Sequence, residues 1–385
     1  DKGEKLASET TRDFHEWIHT GALYTLVPDR LITLRFILGA IDDLIAFYSN
    51  FERMNLSPTT SGLNIEETNG GGWFSPNYIH FKYRIKGRKI TLPWLIGVAR
   101  SLNINERLHK HDWLRRRAGE LDPLKSRLWT NTVKKMPSLL KYKEKYFDYK
   151  TTDFTTNSRI LLRDIITTAI TNGLDISLNN KVKKIDKQNK GYIVEGENEC
   201  FQVDKIAICA GSGITKFTDA KIKTSYAPIA VVEGISHNTN SFVELDYFPK
   251  NCINILTKED GVGLIGGITL NNIEKCDEYI DFVIKKHKQM NPNLKVLEKY
   301  IGKKNELIFN NEDRNYLYHI SPIPDYKNVW SIIPGKFTLA FSLAPEFYRQ
   351  VYSKNPIKVF NSCIDEGKYS SFISNTAWFD SLKNN

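Results

Sequence analysis

VDKIAICAGSG, residues 203–213, runs from an apolar core into a string of small residues. Strands buried on both faces read as near-continuous Val, Ile and Ala runs of this kind. Small residues at the C-terminal end let the backbone come close to a ligand, or simply pack it under a helix. In an open α/β sheet, ligands settle in the crevice beyond the strand ends. The stretch sets an α/β expectation, and it raises the matter of a G-x-G-x-x-G turn leading from a strand into a helix, which does not accompany it.

Upstream, the order of elements is that of an α/β nucleotide-binding unit. In SRILLRDIITTAITN (158–172), Ile160, Leu161, Ile165, Ala169 and Ile170 fall mostly on one helical face, with Gly173 as the stop. LDISL (174–178) reads as a short strand and Asn179-Asn180 as a turn. VKKID (182–186), YIVEG (192–196) and CFQV (200–203) read as further strands, bounded by Gly and Asn.

Downstream, NVWSII (328–333) reads as a strand, PGK as a turn, and residues 338–352 as an amphipathic helix. Pro345 should kink that helix or shift its start, because it has no N–H to donate. YAPIAVVEGI, CINILTKED and GVGLIGGITL, within residues 226–270, are β-rich, the last two joined by the hairpin-forming pair Asp260-Gly261. Residues 277–300 have helical composition, 73–90 read as strands, and 92–147 as mostly helices and loops. The expected architecture is a Rossmann-like α/β domain built from residues 1–50, 150–222 and 306–385. A discontinuous α+β antiparallel-sheet domain takes residues 51–149 and 223–305.

Composition limits the function classes. Of 385 residues, 41% are hydrophobic, 12% aromatic and 25% charged, which excludes a disordered chain. A net charge of +10 favours anionic ligands without specifying a site. The densest basic cluster is Arg115, Arg116 and Arg117, with Arg107 and Lys110 upstream. Read as a solvated helix face it is inert; read as a contact it suits phosphate or an anionic membrane. Five widely spaced cysteines without a C-x-x-C suit a reduced, cytoplasmic protein. No apolar stretch approaches the ~20 residues of a spanning helix, and DKGEKLASETT lacks the features of a signal peptide. His109 and His111 lack a third ligand at a persuasive spacing, so no metal is expected. Cys209, inside an apolar run, reads as buried packing, and NGGGW (69–73) as a loop.

Residues 153–213 resemble the second half of the FAD-binding domain in the D-amino-acid oxidase and glycerol-3-phosphate dehydrogenase superfamily. The resemblance implies that Val182 contacts the adenine end through its backbone and that Gly211 packs near the dinucleotide. DKGEKLASETTRDFHEWIHTGALY (1–24) is similar to the family segment that starts at the acidic end of the second strand and runs to an I-H-x-G. On that match Asp1 binds the adenosine ribose, Thr11 lies by the diphosphate, and His19 and Gly21 sit at the flavin. The glycine-rich strand-turn-helix is then expected some tens of residues before Asp1, so the FAD-binding domain is expected to be N-terminally incomplete. SIIPGKFTLAFSLAPEF (331–347) resembles the G-K-x-T turn and helix of the glycerol-3-phosphate dehydrogenase branch. There Gly335 allows close approach, Lys336 and Thr338 add donors, and the helix N-terminus faces the flavin's pyrimidine edge. NEDRNYLYHISPIPD (311–325) is similar to a segment whose Arg, here Arg314, meets the substrate's carboxylate or phosphate; a surface ion pair with Glu312 or Asp313 is the other reading.

The function implied is FAD-dependent oxidation of a CH–OH or CH–NH2 group in a small anionic substrate, by hydride transfer to the flavin. A 2-hydroxy acid or glycerol phosphate is favoured slightly over an amino acid. The electron acceptor stays open, nucleic acid is not expected, and the charge leaves room for peripheral contact with the inner face of a membrane. His19 suits a general base at neutral pH, a point of flavin attachment or a structural contact; His15 shares its face if the segment is helical. The competing reading is a non-catalytic basic protein of the same ancestry that docks on an anionic membrane or nucleic acid through residues 115–117.

Overall fold

The computed structural model describes residues 1–19, 32–48, 51, 54–59, 62–67, 82–86, 146–150, 153–219, 221–236, 241–245, 252–258, 261–308, 317–356 and 369–383. A single helical turn, α1 (Thr10–Asp13), precedes a two-residue strand, β1 (Trp17–Ile18). Helix α2 (Ile32–Tyr48), the hairpin β2 (Met54–Thr59) and β3 (Gly62–Glu67), and strands β4 (Lys82–Lys86) and β5 (Tyr146–Lys150) follow. Strand β6 (Phe154–Thr155) pairs antiparallel with β1 and leads into helix α3 (Ser158–Thr171). Asn157 caps α3: its side chain accepts from the N–H groups of Arg159 and Ile160, and Gly173 takes the left-handed φ of +95° just past the end.

A meander of β7 (Lys184–Lys187), β8 (Tyr192–Glu195) and β9 (Cys200–Val203) comes next. It delivers the chain to β10 (Ile206–Ile208) and then to a 3-10 turn at Gly211–Lys216. β11 (Ile222–Glu233), β12 (Phe242–Leu245), β13 (Ile253–Thr257) and β14 (Gly263–Gly267) supply the main sheet. Helix α4 (Cys276–Met290) and strand β15 (Lys295–Leu307) complete that layer. The chain closes with β16 (His319–Pro322), β17 (Val329–Ile333), a 3-10 turn at Phe337–Leu339, α5 (Ala340–Tyr352) and α6 (Ala377–Lys383).

The main sheet has seven strands in the order β15-β11-β14-β13-β12-β4-β5, antiparallel throughout except for β12 and β4. Strand alternation gives it two apolar faces. Ala230, Val232, Ile253, Ile255 and Ile265 pack with Ile280 and Val283 of α4 on one side. Ala227, Ile229, Val231 and Leu264 pack with Trp378 of α6 and with Phe14 on the other. The second layer is smaller: β10 runs parallel to β17, Ile206 opposite Val329, and β17 runs antiparallel to β16. The molecule is thus a mixed α/β fold with largely antiparallel sheets, and the stretch that opened the sequence reading supplies a strand of the smaller sheet, parallel to β17.

Several expectations are corrected. Residues 174–178 form no strand; the Ser177 carbonyl and the N–H groups of Asn179 and Asn180 bond with Asp1 and Gly3 instead, and Leu174 is exposed. The buried stripe of α3 is Leu161 with Asp164, Thr167 and Thr168, while Ile160, Ile165, Ala169 and Ile170 are only half-buried. Asp164 is tolerated there because the buried Tyr48 hydroxyl donates to it at 3.2 Å. The helical composition of residues 277–300 ends at Met290, and β15 begins at Lys295. Pro345 stays inside α5, which starts at Ala340 and runs through it. Cys209 is exposed rather than packed, since it lies just past the last paired residue of β10. GVGLIG (261–266) spells G-x-G-x-x-G, but it runs into strand β14, and the next α-helix opens only at Cys276, too far on to cradle a phosphate at these glycines.

Candidate active site

Glu16 turns the chain. Its φ of +59° is left-handed, uncommon outside Gly, and is held by a fully engaged side chain. Its carboxylate lies on the Lys258 ammonium and accepts from Ser158 N–H at 2.5 Å and Trp378 Nε1 at 2.8 Å. Its carbonyl accepts from Thr156 N–H at 3.0 Å. Lys258 is itself buried and also donates to the Thr156 carbonyl at 2.9 Å. A buried charge pair is tolerable only when hydrogen bonds satisfy its remaining groups, and here they do.

From this corner the ladder runs on residue by residue: Trp17 faces Thr155, Ile18 faces Phe154, and His19 reaches Asp153. Asp153 is fully buried; its Oδ2 lies 3.5 Å from His19 Nδ1 and accepts from Trp17 Nε1 at 3.1 Å. The Trp17 and His19 rings stand 4.0 Å apart, centroid to centroid. His19 is 8% exposed, and its backbone N–H donates to Thr338 Oγ1 at 3.0 Å across 319 residues of sequence.

Thr338 belongs to the turn that opens α5. Gly335 (φ +65°) makes that turn, and a Cβ there would stand 2.5 Å from the Leu317 carbonyl oxygen, so only Gly fits. Lys336 takes an extended conformation at the cap, half-buried, and Thr338 is fully buried. The 3-10 turn already pairs the N–H groups of Leu339 and Ala340 with the carbonyls of Lys336 and Phe337, and the positive end of the α5 dipole follows directly after it.

Two further groups of expected residues are placed. The Asp1 ammonium donates to the Ser177 carbonyl at 2.6 Å, and Asn180 N–H donates to the Asp1 carbonyl at 2.8 Å, so Asp1 stands beside the segment that carries the exposed Val182. Gly211 has φ +54°, and the space where a Cβ would stand is open, with Glu9 Oε2 nearest at 4.0 Å. Glu9 is the residue before α1, which holds the half-buried Thr11. The structure therefore brings His19, Gly335, Lys336 and Thr338 into one neighbourhood and Asp1 and Val182 into another, and it sets Gly211 beside Glu9, two residues before Thr11. Gly21, Arg314 and the basic cluster at 107–117 lie outside the described residues.

His15 does not share a helical face with His19, because α1 ends at Asp13 and the chain turns at Glu16 into the extended pair Trp17–Ile18. Its Nε2 has no hydrogen-bond partner among the described residues and sits where a Cβ on Gly266 would be. Burial, assisted by the Lys258 charge, pushes it down to about 3, so it stays neutral. Sequence reasoning missed Asp153, Glu16, Lys258 and Trp378. Neither a left-handed Glu nor a Lys at the end of INILTK announces itself in one sequence. Among the described residues no cluster of His, Cys, Asp and Glu is placed to hold a metal, and no helix is long and apolar enough to cross a membrane.

No protein-family model matches the chain, and no curated protein matches it by sequence. Solved structures do match in fold. L-α-glycerophosphate oxidase from Mycoplasma pneumoniae, dithionite-reduced and with FAD bound, is similar with a TM-score of 0.60 at 17% identity, over 98% of this chain and 91% of that one. L-amino acid deaminase from Proteus vulgaris, lacking its specific insertion, gives 0.61 at 12% identity over 98% and 86%. Glycine oxidase from Geobacillus kaustophilus gives 0.58 at 11% identity over 97% and 90%. At these identities the likeness establishes a shared fold, along nearly the whole chain.

Proposed function

We propose that this chain is an FAD-dependent oxidoreductase that oxidises a CH–OH or CH–NH2 group of a small anionic substrate. The observation that carries the reading is the junction at His19. A buried imidazole with a carboxylate behind it is fixed by its own backbone to the opening turn of α5, within a fold shared with an FAD-bound oxidase.

The residues fit such a cofactor. Gly211 leaves open room on its Cβ side, and Gly335 brings the backbone of the α5 turn in close. Asp1, Thr11, Val182 and Gly211 would hold the nucleotide half; Gly335, Lys336, Thr338 and the N-terminus of α5 would serve the flavin half. FAD, when bound, supplies the hydride acceptor. His19 would take the substrate's hydroxyl or ammonium proton. A proton on Nδ1 toward Asp153 puts the ring's lone pair on Nε2, and the carboxylate stabilises the charge that arrives. Trp17 and Asp153 hold the ring's orientation. In this reading the seven-stranded sheet, with residues 51–149 and 223–305, is the substrate side, and Arg314 pairs with the substrate's anionic group. A 2-hydroxy acid or glycerol phosphate is favoured over an amino acid.

The test is anaerobic mixing of the FAD-loaded protein with glycerol 3-phosphate, 2-hydroxy acids and amino acids, following loss of the flavin absorbance. One of these classes is expected to bleach it, and His19→Asn to slow the bleaching by about 10²–10⁴-fold, the usual worth of a general base. Bleaching at the wild-type rate in His19→Asn would remove His19 from the chemistry.

A further inference from the structure

We infer that the buried Glu16–Lys258 pair, closed by Trp378 of α6, is a positioning device that sets the His19 ring against Asp153. The inference rests on the reading of His19 as the base and adds residues that touch neither substrate nor cofactor.

Three chain segments converge on one carboxylate. Glu16 receives Lys258 from the end of β13, Ser158 N–H from the start of α3, and Trp378 Nε1 from α6. Lys258 and the Glu16 carbonyl then grip the same residue, Thr156, by its carbonyl and by its N–H. Thr156 sits three residues from Asp153, and Glu16 three from His19, on the two sides of the β1–β6 ladder. A ladder of two paired residues is too short to fix its own register. The buried pair fixes it from the closed end, and a one-residue slip would turn His19 to the other face. The left-handed φ of Glu16 supports the same view: strain of that kind persists only where the surroundings over-determine it.

Nor is the arrangement explained as general stability, since a buried ion pair is a weak source of it compared with an apolar substitute. Its geometry instead ties β13, α3 and α6 to one end of the strand that ends at His19. The Lys258 ammonium also stands 5.4 Å from the centre of the Trp378 ring, so the indole meets both charges of the pair.

The test uses the full chain carrying Glu16→Gln and Lys258→Met together, which removes both charges and leaves one amide oxygen to accept from Ser158. His19 ring-proton shifts, assigned with His19→Asn, are read by NMR without flavin, because the Trp17 ring at 4.0 Å imposes a ring-current shift on them. Turnover is read in the FAD-loaded protein. The expected result is a folded double variant whose His19 signals move toward their unstacked positions. Its kcat should fall by about 10–100-fold with KM little changed, as a displacement of roughly 1 Å produces. His19 signals and kcat both unchanged would overturn the inference. Should the double variant fail to fold, Trp378→Phe removes one donor from the same carboxylate and is read identically, with the same two outcomes. If the wild type takes up no FAD, the functional reading fails, while the NMR signals still decide whether the pair positions His19.

Discussion

Thr338 shows how much one side chain decides here. Its hydroxyl is the acceptor for a buried backbone N–H whose residue carries the proposed base. Thr338→Val keeps the shape and deletes the acceptor, leaving that N–H unsatisfied. The expected loss is about 1–3 kcal/mol of unfolding free energy, measured by urea denaturation; unchanged stability would mean that another acceptor takes over. His19 and Thr338 were both legible as candidate residues, through I-H-T-G and P-G-K-F-T. Asp153 was not, because nothing in T-T-D-F-T-T distinguishes a carboxylate that will lie fully buried under an imidazole. Glu16 and Lys258 read as ordinary surface charges until the fold brings them together.

At the level of elements, α3 offers the cleanest test. Asn157 accepts from two first-turn N–H groups, and Asn157→Ala should cost about 1 kcal/mol of stability. A denaturation midpoint that did not move would show that Ser158, bonded through its own N–H to Glu16, fixes the helix start without the cap. The helix was readable from its period and from Gly173. β15 was not, and the reason is physical. It is the edge strand of the seven-stranded sheet, and its Lys residues blunt the exposed edge. Lys295 and Lys299 pair with Glu233 of neighbouring β11 and Asp281 of α4, so a K- and E-rich run that looks helical is a 13-residue strand. Residues 174–178 failed in the other direction: the Ser177 carbonyl accepts from the Asp1 ammonium and Leu174 N–H turns back to Ala169, so no ladder forms.

For the whole molecule, two histidines set the acid limit. Burial pushes His287 down to about 4, partly opposed by its hydrogen bond to the Asn254 carbonyl, and His15 down to about 3. Each binds a proton near its ordinary 6.5 only when unfolded, so the unfolded state holds more protons as pH falls. Stability is then lost on acidification from about pH 6.5, by about 1.4 kcal/mol per pH unit for each histidine, down to the folded values. Denaturant midpoints measured between neutral pH and pH 5 should fall accordingly, and His287→Leu should make the slope shallower by about one proton. An unaltered slope would place the titration elsewhere. The mixed α/β architecture, the strands within residues 226–270 and the strand at residues 206–208 were readable from strand patterns and punctuation, since those depend on local chemistry. The seams between distant segments were not.

The account stands or falls on the cofactor, and the absorbance spectrum of the protein purified from its longest available gene and titrated with FAD reaches it most directly. The prediction is a saturable yellow complex whose flavin bands bleach anaerobically with a small anionic CH–OH or CH–NH2 substrate; acid precipitation then separates held from released flavin. A folded, colourless protein that takes up no FAD would contradict the account.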